Sequence, residues 1–517
     1  MPALVTDIPA QFNAARFFVD RHVEQGRGSK IAFHYEDTAL TYAQLQELVN
    51  RTGHALLDLG VQREQRVLCL LLDSPEFLAA FWGAVKIGAI PIPVNTMMRS
   101  QDYLYFLDDS RAPVAIISEP LLAEAGPVLS EARYLKHVVV AGKPSAGQIA
   151  FDQWVAKASS RLDAVETSKD DAAFWLYSSG STGRPKGAVH LQHDMVYCAD
   201  TYARQVLGMT EHDKTVSAAK LFFAYGLGNN MYFPMSVGGQ GVLYPHRPLP
   251  EAMFEVIHRH RPTLFFGVPT LYAAMLQVKE AEKRYDLSSL RLCVSAGEAL
   301  PEELYRRWRD RFGVDILDGI GTTEILHIFL SNRPGQIRPG STGLPVPGYE
   351  AALVDDEGQP VPQGDIGNLR VKGDSIMAYY WNQHEKTKDT LFGHFIQTGD
   401  KYYQDADGYF WYCGRADDML KVGGIWVSPV EVENTLIAHA AVLEAAVVGR
   451  EDTDKLVKPR AFVVLKEGYA GSPQLETDLK SFVKDKIAPY KYPRWIEFVS
   501  ELPKTATGKI QRFKLRA

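Results

Sequence analysis

Short, unbroken apolar runs punctuate most of the chain, and amphipathic stretches fill most of the gaps between them. Residues 67–72, 90–94, 114–117, 137–141, 173–177, 264–268 and 292–295 are such runs. Their length suits buried strands, and strands covered on both faces belong to parallel sheets crossed by helices. Ser74-Pro75 has the form of an N-cap followed by proline at the first helical position, which predicts a helix from there to about Ile87. Strand, helix and strand in that order predict an α/β body. From about residue 349 to 372 the pattern changes to alternation broken by Asp-Glu-Gly and Gln-Gly-Asp turns, the mark of a smaller β-rich subdomain. Further on, Ser428-Pro429-Val430-Glu431 reads as a capping box. Strands at 443–449, 461–466 and 496–499 and a helix at 475–487 then predict a compact α+β domain of about a hundred residues. The boundary is expected near residues 414–420, giving domains 1–416 and 417–517 with the Asp417-Asp418 pair as a hinge.

At 517 residues the chain is long enough for more than one domain. Its hydrophobic share of 46% and charged share of 23% are those of an ordinary globular protein, and a net charge of −6 gives no electrostatic case for a nucleic-acid partner. Cys69, Cys198, Cys293 and Cys413 are scattered without a Cys-x-x-Cys pair, so they read as small core residues in a reducing, cytoplasmic setting. The first fifteen residues lack the basic-then-apolar order of a signal peptide. The most apolar window, residues 77–94, is broken by Lys86, Gly88, Pro91 and Pro93 and is no membrane span.

The run at 173–177 leads directly into Ser178, Ser179, Gly180, Ser181, Thr182, Gly183, Arg184, Pro185, Lys186 and Gly187, of which seven are Ser, Thr or Gly. Such a loop leaves backbone N–H groups uncovered, adds four hydroxyls and places the Lys186 cation at its end. That combination suits a polyphosphate. The spacing is not that of a Walker A loop, so phosphate binding in a different fold is expected.

This stretch resembles the phosphate loop of the adenylate-forming superfamily of acyl- and aryl-CoA ligases, luciferases and peptide-synthetase adenylation domains. The likeness extends, in the family's order, through Asp318-Gly-Ile-Gly-Thr-Thr-Glu324, Thr398-Gly-Asp400, Gly414-Arg-Ala-Asp-Asp-Met-Leu-Lys-Val-Gly-Gly424 and Pro503-Lys-Thr-Ala-Thr-Gly-Lys509. Within the family it is greatest to benzoate–CoA ligases, through Lys220-Leu-Phe-Phe-Ala-Tyr-Gly-Leu-Gly228 and Glu324-Ile-Leu-His-Ile-Phe329.

The resemblance implies a large N-terminal domain of αβ-layered subdomains with a β-rich subdomain, and a small mobile C-terminal domain. It implies ATP, Mg2+ and CoA as reactants and a small aromatic acid as substrate, in a monomer or homodimer. Glu324 becomes the Mg2+ ligand; Thr322 and Thr323 reach the nucleotide phosphate, and Asp318, Gly319, Ile320, Gly321, Gly297 and Glu298 line the nucleotide. Ile320 replaces an aromatic residue that many relatives place against adenine. Asp400 holds the ribose hydroxyls with Arg415 beside it, and a carboxylate can accept both hydroxyls at once. Lys509 bridges the anionic carboxylate and α-phosphate, which a water-poor site rewards. Lys421, Gly423 and Gly424 line the CoA tunnel after rotation about Asp417. Phe223, Ala224, Tyr225 and Gly226 wall a flat apolar slot, with His327 and Ile328 near the ring. Many relatives carry histidine where this chain has Phe223. No aspartate stands between Leu221 and Met231 to pair an amino acid's ammonium group, which argues against amino acids. The reaction expected is ATP, benzoate and CoA to benzoyl-CoA, AMP and diphosphate, with a substituted benzoate or a short alicyclic acid as the alternative substrate.

Overall fold

The structure is a computed structural model that describes residues 7–178, 184–416, 418–422, 425–453, 456–504 and 510–516. The apolar runs are strands. A five-stranded all-parallel sheet carries Ile90–Pro93, Arg66–Leu70, Val114–Ser118, His137–Ala141 and Ile149–Ala150, in that order. A nine-stranded sheet runs from Leu344–Pro345 through Ile328–Ser331, Ile316–Gly321, Leu292–Ser295, Leu264–Gly267, Lys214–Ser217 and Gln240–Leu243 to Ile31–Tyr35 and Thr38–Thr41. Its centre is parallel and its margins are antiparallel.

The helix expected after Ser74 spans Pro75–Lys86. Every residue from Phe77 to Lys86 is buried, which explains why its sequence is apolar on all sides. It packs on the helix Tyr42–Asp58 where glycines meet: a Cβ on Gly83 would lie 3.0 Å from the Gly53 nitrogen. Lys86 is buried with its ammonium 2.6 Å from Asp20 Oδ1 and 2.6 Å from Asn50 Oδ1, the pairing a buried charge requires. Ser74 does occupy the N-cap position, but its side chain makes no cap bond; proline and the fixed backbone start this helix unaided.

The strands Ala172–Ser178 and Lys186–Leu191 form an antiparallel pair, and Tyr379–Tyr380 joins it beside Val189 and Ala188. The β-rich part is an antiparallel sheet built on Glu350–Val354, Gly367–Lys372, Phe395–Gln404 and Phe410–Arg415. Toward the C-terminus, Val442–Glu451, Val457–Leu465 and Trp495–Phe498 make a three-stranded sheet with the helices Pro429–Ile437 and Pro473–Lys486. Only half of the capping box forms. Ser428 Oγ accepts from the Glu431 N–H, while the Glu431 carboxylate turns away to Lys491 at 2.6 Å. All four cysteines are buried free thiols. Among the described residues no helix is long and apolar enough to cross a membrane.

Candidate active site

Two neighbouring parallel strands of the large sheet, Leu292–Ser295 and Ile316–Gly321, pair with Ser295 opposite Asp318. Ligands of open α/β sheets sit beyond such strand ends. Gly297 follows in the left-handed region at φ +95°, where a side chain would be strained. Past Gly321, Thr323–Ile325 makes a single tight turn, and Leu326 closes it at φ +72°, a conformation a branched residue holds only when its surroundings impose it.

Glu324 stands on that turn with two hydroxyls donating to its Oε1: Ser178 Oγ at 2.8 Å and Tyr380 OH at 2.7 Å. Lys186 lies 4.6 Å from the centre of the Tyr380 ring. Burial lowers the Lys186 pKa, and Glu324 acts in the opposite direction. Ser178, Lys186 and Glu324, far apart in sequence, thus share one neighbourhood. Tyr380 belongs to it as well and went unnoticed in the sequence, although the aromatic run Tyr379-Tyr380-Trp381 was there to be read. Burial and the adjoining Glu324 carboxylate both push the Tyr380 hydroxyl well above its ordinary pKa, so it stays a donor.

Asp400 and Arg415 face one another across two neighbouring strands. Arg415 Nη1 donates to Asp400 Oδ1 at 3.1 Å and to the Thr398 carbonyl at 3.0 Å. Asp400 is buried, and its carboxylate, with smaller help from Glu324, raises the Arg415 pKa. Asp318 is also buried; with desolvation dominant, its pKa is raised well above the usual carboxylate range. Asp318 Oδ1 and Thr322 Oγ1 are buried polar atoms without a hydrogen-bond partner among the described residues. Glu298 Oε1 accepts the Ile510 N–H at 2.8 Å, and Lys504 and Ile510 pair as an antiparallel bridge.

In the motif 220–228, Phe223 is the N-cap of the short helix Ala224–Leu227, its ring 4.2 Å from that of Phe222. Gly226 permits the close turn, since a Cβ there would lie 2.1 Å from the Lys220 carbonyl oxygen. Tyr225 OH shares its one proton between the carbonyls of Gly267 at 3.2 Å and Val294 at 3.3 Å. His327 is buried among the rings of Tyr202, Tyr225 and Phe233. Burial pulls its pKa down to about 3, so it is neutral. Its Nε2 faces two acceptors, the Tyr225 carbonyl at 3.3 Å and Asn229 Oδ1 at 3.1 Å, and therefore carries the proton. Ile328 is core, against the strand that carries Gly319. Ile320 is half-buried beside it.

Ser179, Gly180, Ser181, Thr182, Gly183, Asp417, Gly423, Gly424 and Lys509 lie outside the described residues; Lys421 stands in the strand Leu420–Val422.

Residues 19–381 match the family described as AMP-binding enzyme, and residues 431–509 match the AMP-binding enzyme C-terminal domain. The chain belongs to the AMP-binding enzyme family. A benzoate–CoA ligase of Thauera aromatica is 53% identical over 99% of this chain and 97% of its own. A 4-hydroxybenzoate–CoA/benzoate–CoA ligase of Rhodopseudomonas palustris is 46% identical over 98% and 94%. Among solved structures of AMP-binding enzymes, an anthranilate CoA ligase in complex with anthranoyl-AMP superimposes with a TM-score of 0.95 at 46% identity, covering 99% of this chain and 98% of its own. A benzoate CoA ligase from Burkholderia xenovorans LB400 gives 0.91 at 46% identity, covering 98% and 100%. Adenylate-forming CoA ligases use ATP and CoA.

Proposed function

We propose that the chain is a benzoate–CoA ligase that works through benzoyl-adenylate. A benzoate oxygen attacks the α-phosphorus of ATP and diphosphate leaves; the CoA sulfur then attacks the acyl carbon, AMP leaves and the thiol proton is released. The observation that carries the choice of acid is the state of the two polar groups in the aryl slot. The Tyr225 proton is committed to two main-chain carbonyls and the His327 Nε2 proton to Tyr225 and Asn229. A ring without substituents asks nothing of either. A second reading, a 4-hydroxy- or aminobenzoate, has one observation in its favour. His327 Nδ1 is a buried acceptor with no partner among the described residues.

Glu324 is a hard carboxylate supported by two hydroxyl donors, which suits Mg2+ with phosphate and water oxygens as its remaining ligands. Among the described residues no cluster of three ligating side chains exists that would hold a metal without the nucleotide. When bound, the ion would neutralise phosphate charge. Ser178 to Gly183 and Lys186 wrap the phosphates, Thr322 and Thr323 meet the α-phosphate, Asp318 to Gly321, Gly297 and Glu298 line the nucleotide, and Asp400 with Arg415 takes the ribose. The contact between Ile510 and Glu298 supports Lys509, one residue earlier, as the charge that bridges carboxylate and phosphate. Domain 417–517 then rotates about Asp417 so that Lys421, Gly423 and Gly424 meet CoA.

The test is CoA-dependent AMP formation with benzoate, 4-hydroxybenzoate, 2-aminobenzoate, cyclohexanecarboxylate, hexanoate, palmitate and phenylalanine. Benzoate is expected to lead by at least ~10-fold in kcat/KM, about 1.4 kcal/mol of transition-state preference. A lead for 4-hydroxybenzoate or 2-aminobenzoate selects the second reading, and a lead for palmitate or phenylalanine overturns both.

A further inference from the structure

The return strand Lys186–Leu191 carries a second chemical feature beyond Lys186. His190 is fully buried, stacked on Phe174 with ring centres 5.2 Å apart, and both of its ring nitrogens face acceptors. Nε2 is 2.8 Å from the Thr323 carbonyl and Nδ1 is 2.8 Å from Asp194 Oδ2. The Thr323 carbonyl can only accept, so Nε2 carries a proton toward it, while Nδ1 faces the Asp194 carboxylate. Asp194 Oδ2 also accepts the Leu191 N–H at 3.0 Å, and His193 Nε2 approaches its Oδ1 at 3.3 Å. His193 in turn reaches the Lys169 carbonyl at 2.8 Å and the Asp374 carbonyl at 3.0 Å. Burial opposes its protonation, but Asp194 and these carbonyls prevail and raise its pKa.

Both histidines lead to the same place. The carbonyls of Thr323, Glu324 and Ile325 accept in turn from His190 Nε2, from the Met377 N–H at 2.8 Å and from Ser375 Oγ at 2.8 Å. Ser375 and Met377 follow the Asp374 carbonyl that His193 holds, and Tyr380, just beyond, reaches the Glu324 carboxylate. We propose that His190, Asp194 and His193 form a buried clamp that positions the Glu324 turn for adenylation. His190 holds the turn directly, and His193 holds the segment 374–380 that braces it. These are positioning residues. None of the three is within hydrogen-bonding distance of the Glu324 carboxylate in the contacts described.

The inference rests on Glu324 serving adenylation, and the experiment separates the two. His190→Gln can keep a donor near the Nε2 position toward Thr323, whereas His190→Asn keeps one near the Nδ1 position toward Asp194 only. Benzoate-dependent pyrophosphate exchange, thioester formation from supplied benzoyl-adenylate, and Tm are measured for each, with Glu324→Gln as control. His190→Asn is expected to lower kcat for exchange by at least ~10-fold, leave KM for benzoate and thioester formation within about threefold, and be largely rescued in His190→Gln. Equal losses for the two variants, or equal losses in both half-reactions, at unchanged Tm, overturn the clamp. Full exchange activity in Glu324→Gln overturns the reading of Glu324 instead. Should both His190 variants fail to fold, His193→Ala and His193→Gln are measured in the same way. A kcat for exchange lowered at least ~10-fold in His193→Ala and largely rescued in His193→Gln, which keeps a donor near the Nε2 position toward Asp374, is expected, and full exchange activity in His193→Ala overturns the clamp.

Discussion

The two ends of the site are built in opposite ways. At the Glu324 end most polar groups are matched: the carboxylate takes two hydroxyls, Asp400 takes Arg415, and three successive carbonyls of the turn each have a donor, while Asp318 Oδ1 and Thr322 Oγ1 are left without a partner among the described residues. At the Tyr225 end, rings pack on rings, His327 is neutral, and His327 Nδ1 and Tyr232 OH have no hydrogen-bond partner among the described residues. The contrast follows from what each end would hold. A polyphosphate brings charge into a partly dry cleft, and fixed dipoles stabilise it only if they need not reorganise. An aryl ring brings area, and shape is enough to select it.

If that division is right, the largest effect comes from breaking the matched end. Glu324→Gln keeps the size of the side chain and removes its charge. It is expected to slow pyrophosphate exchange by ~10²-fold or more, with thioester formation from supplied benzoyl-adenylate much less affected. Equal loss in both half-reactions would place Glu324 outside the adenylation step.

Breaking the packed end should be felt first in stability. A Cβ on Gly228 would stand 2.4 Å from His327 Cδ2 and 2.8 Å from Tyr232 OH. Gly228→Ala is therefore expected to cost about 1–3 kcal/mol, read as a lowered denaturation midpoint at unchanged m. Unchanged stability would mean that this end can relax, and that shape alone does not select the ring.

The same asymmetry governs what could be read from the sequence. The strands at 137–141 and 292–295 and the helix after Ser74 were legible because long apolar patterning reports burial directly. Motif residues from Ser178, Lys186, Glu324, Asp400 and Arg415 were legible as a set, and the fold brings Ser178 to Glu324 and Asp400 to Arg415. The partners were not. Tyr380 reaches Glu324 from 56 residues away, and His190 reaches Thr323 across 133. Such long-range contacts leave no local spacing. Ser428 shows the converse: its local cap bond was legible, but the tertiary pull of Lys491 on Glu431 was not.

The neutral state of His327 gives a smaller effect that sharpens the comparison. Its folded pKa of about 3 lies below the ordinary value of 6.5, so between those limits the unfolded chain binds a proton that the folded one does not. Stability must then rise with pH across that window and fall on acidification below about 6.5. His327→Gln is expected to flatten the slope by up to about 1.4 kcal/mol per pH unit. His22 and His260, also depressed, keep their own contributions of the same sign. A slope unchanged by the substitution would mean that water or a charge reaches the ring.

The smallest effect is expected from Tyr225→Phe. The hydroxyl spends its proton on the Gly267 and Val294 carbonyls, at the ends of two central strands. Val294 also accepts from Tyr272 OH at 2.8 Å, so one of the two carbonyls keeps a donor when Tyr225 loses its own. The substitution should cost about 1 kcal/mol of stability or less and leave kcat/KM for benzoate within about threefold. Turnover of 4-hydroxybenzoate relative to benzoate should also stay constant, because a proton already held by the main chain is not available to a ring substituent. A selective loss of 4-hydroxybenzoate would show that the hydroxyl turns to meet substrate, and the packed end would then be a matched one after all.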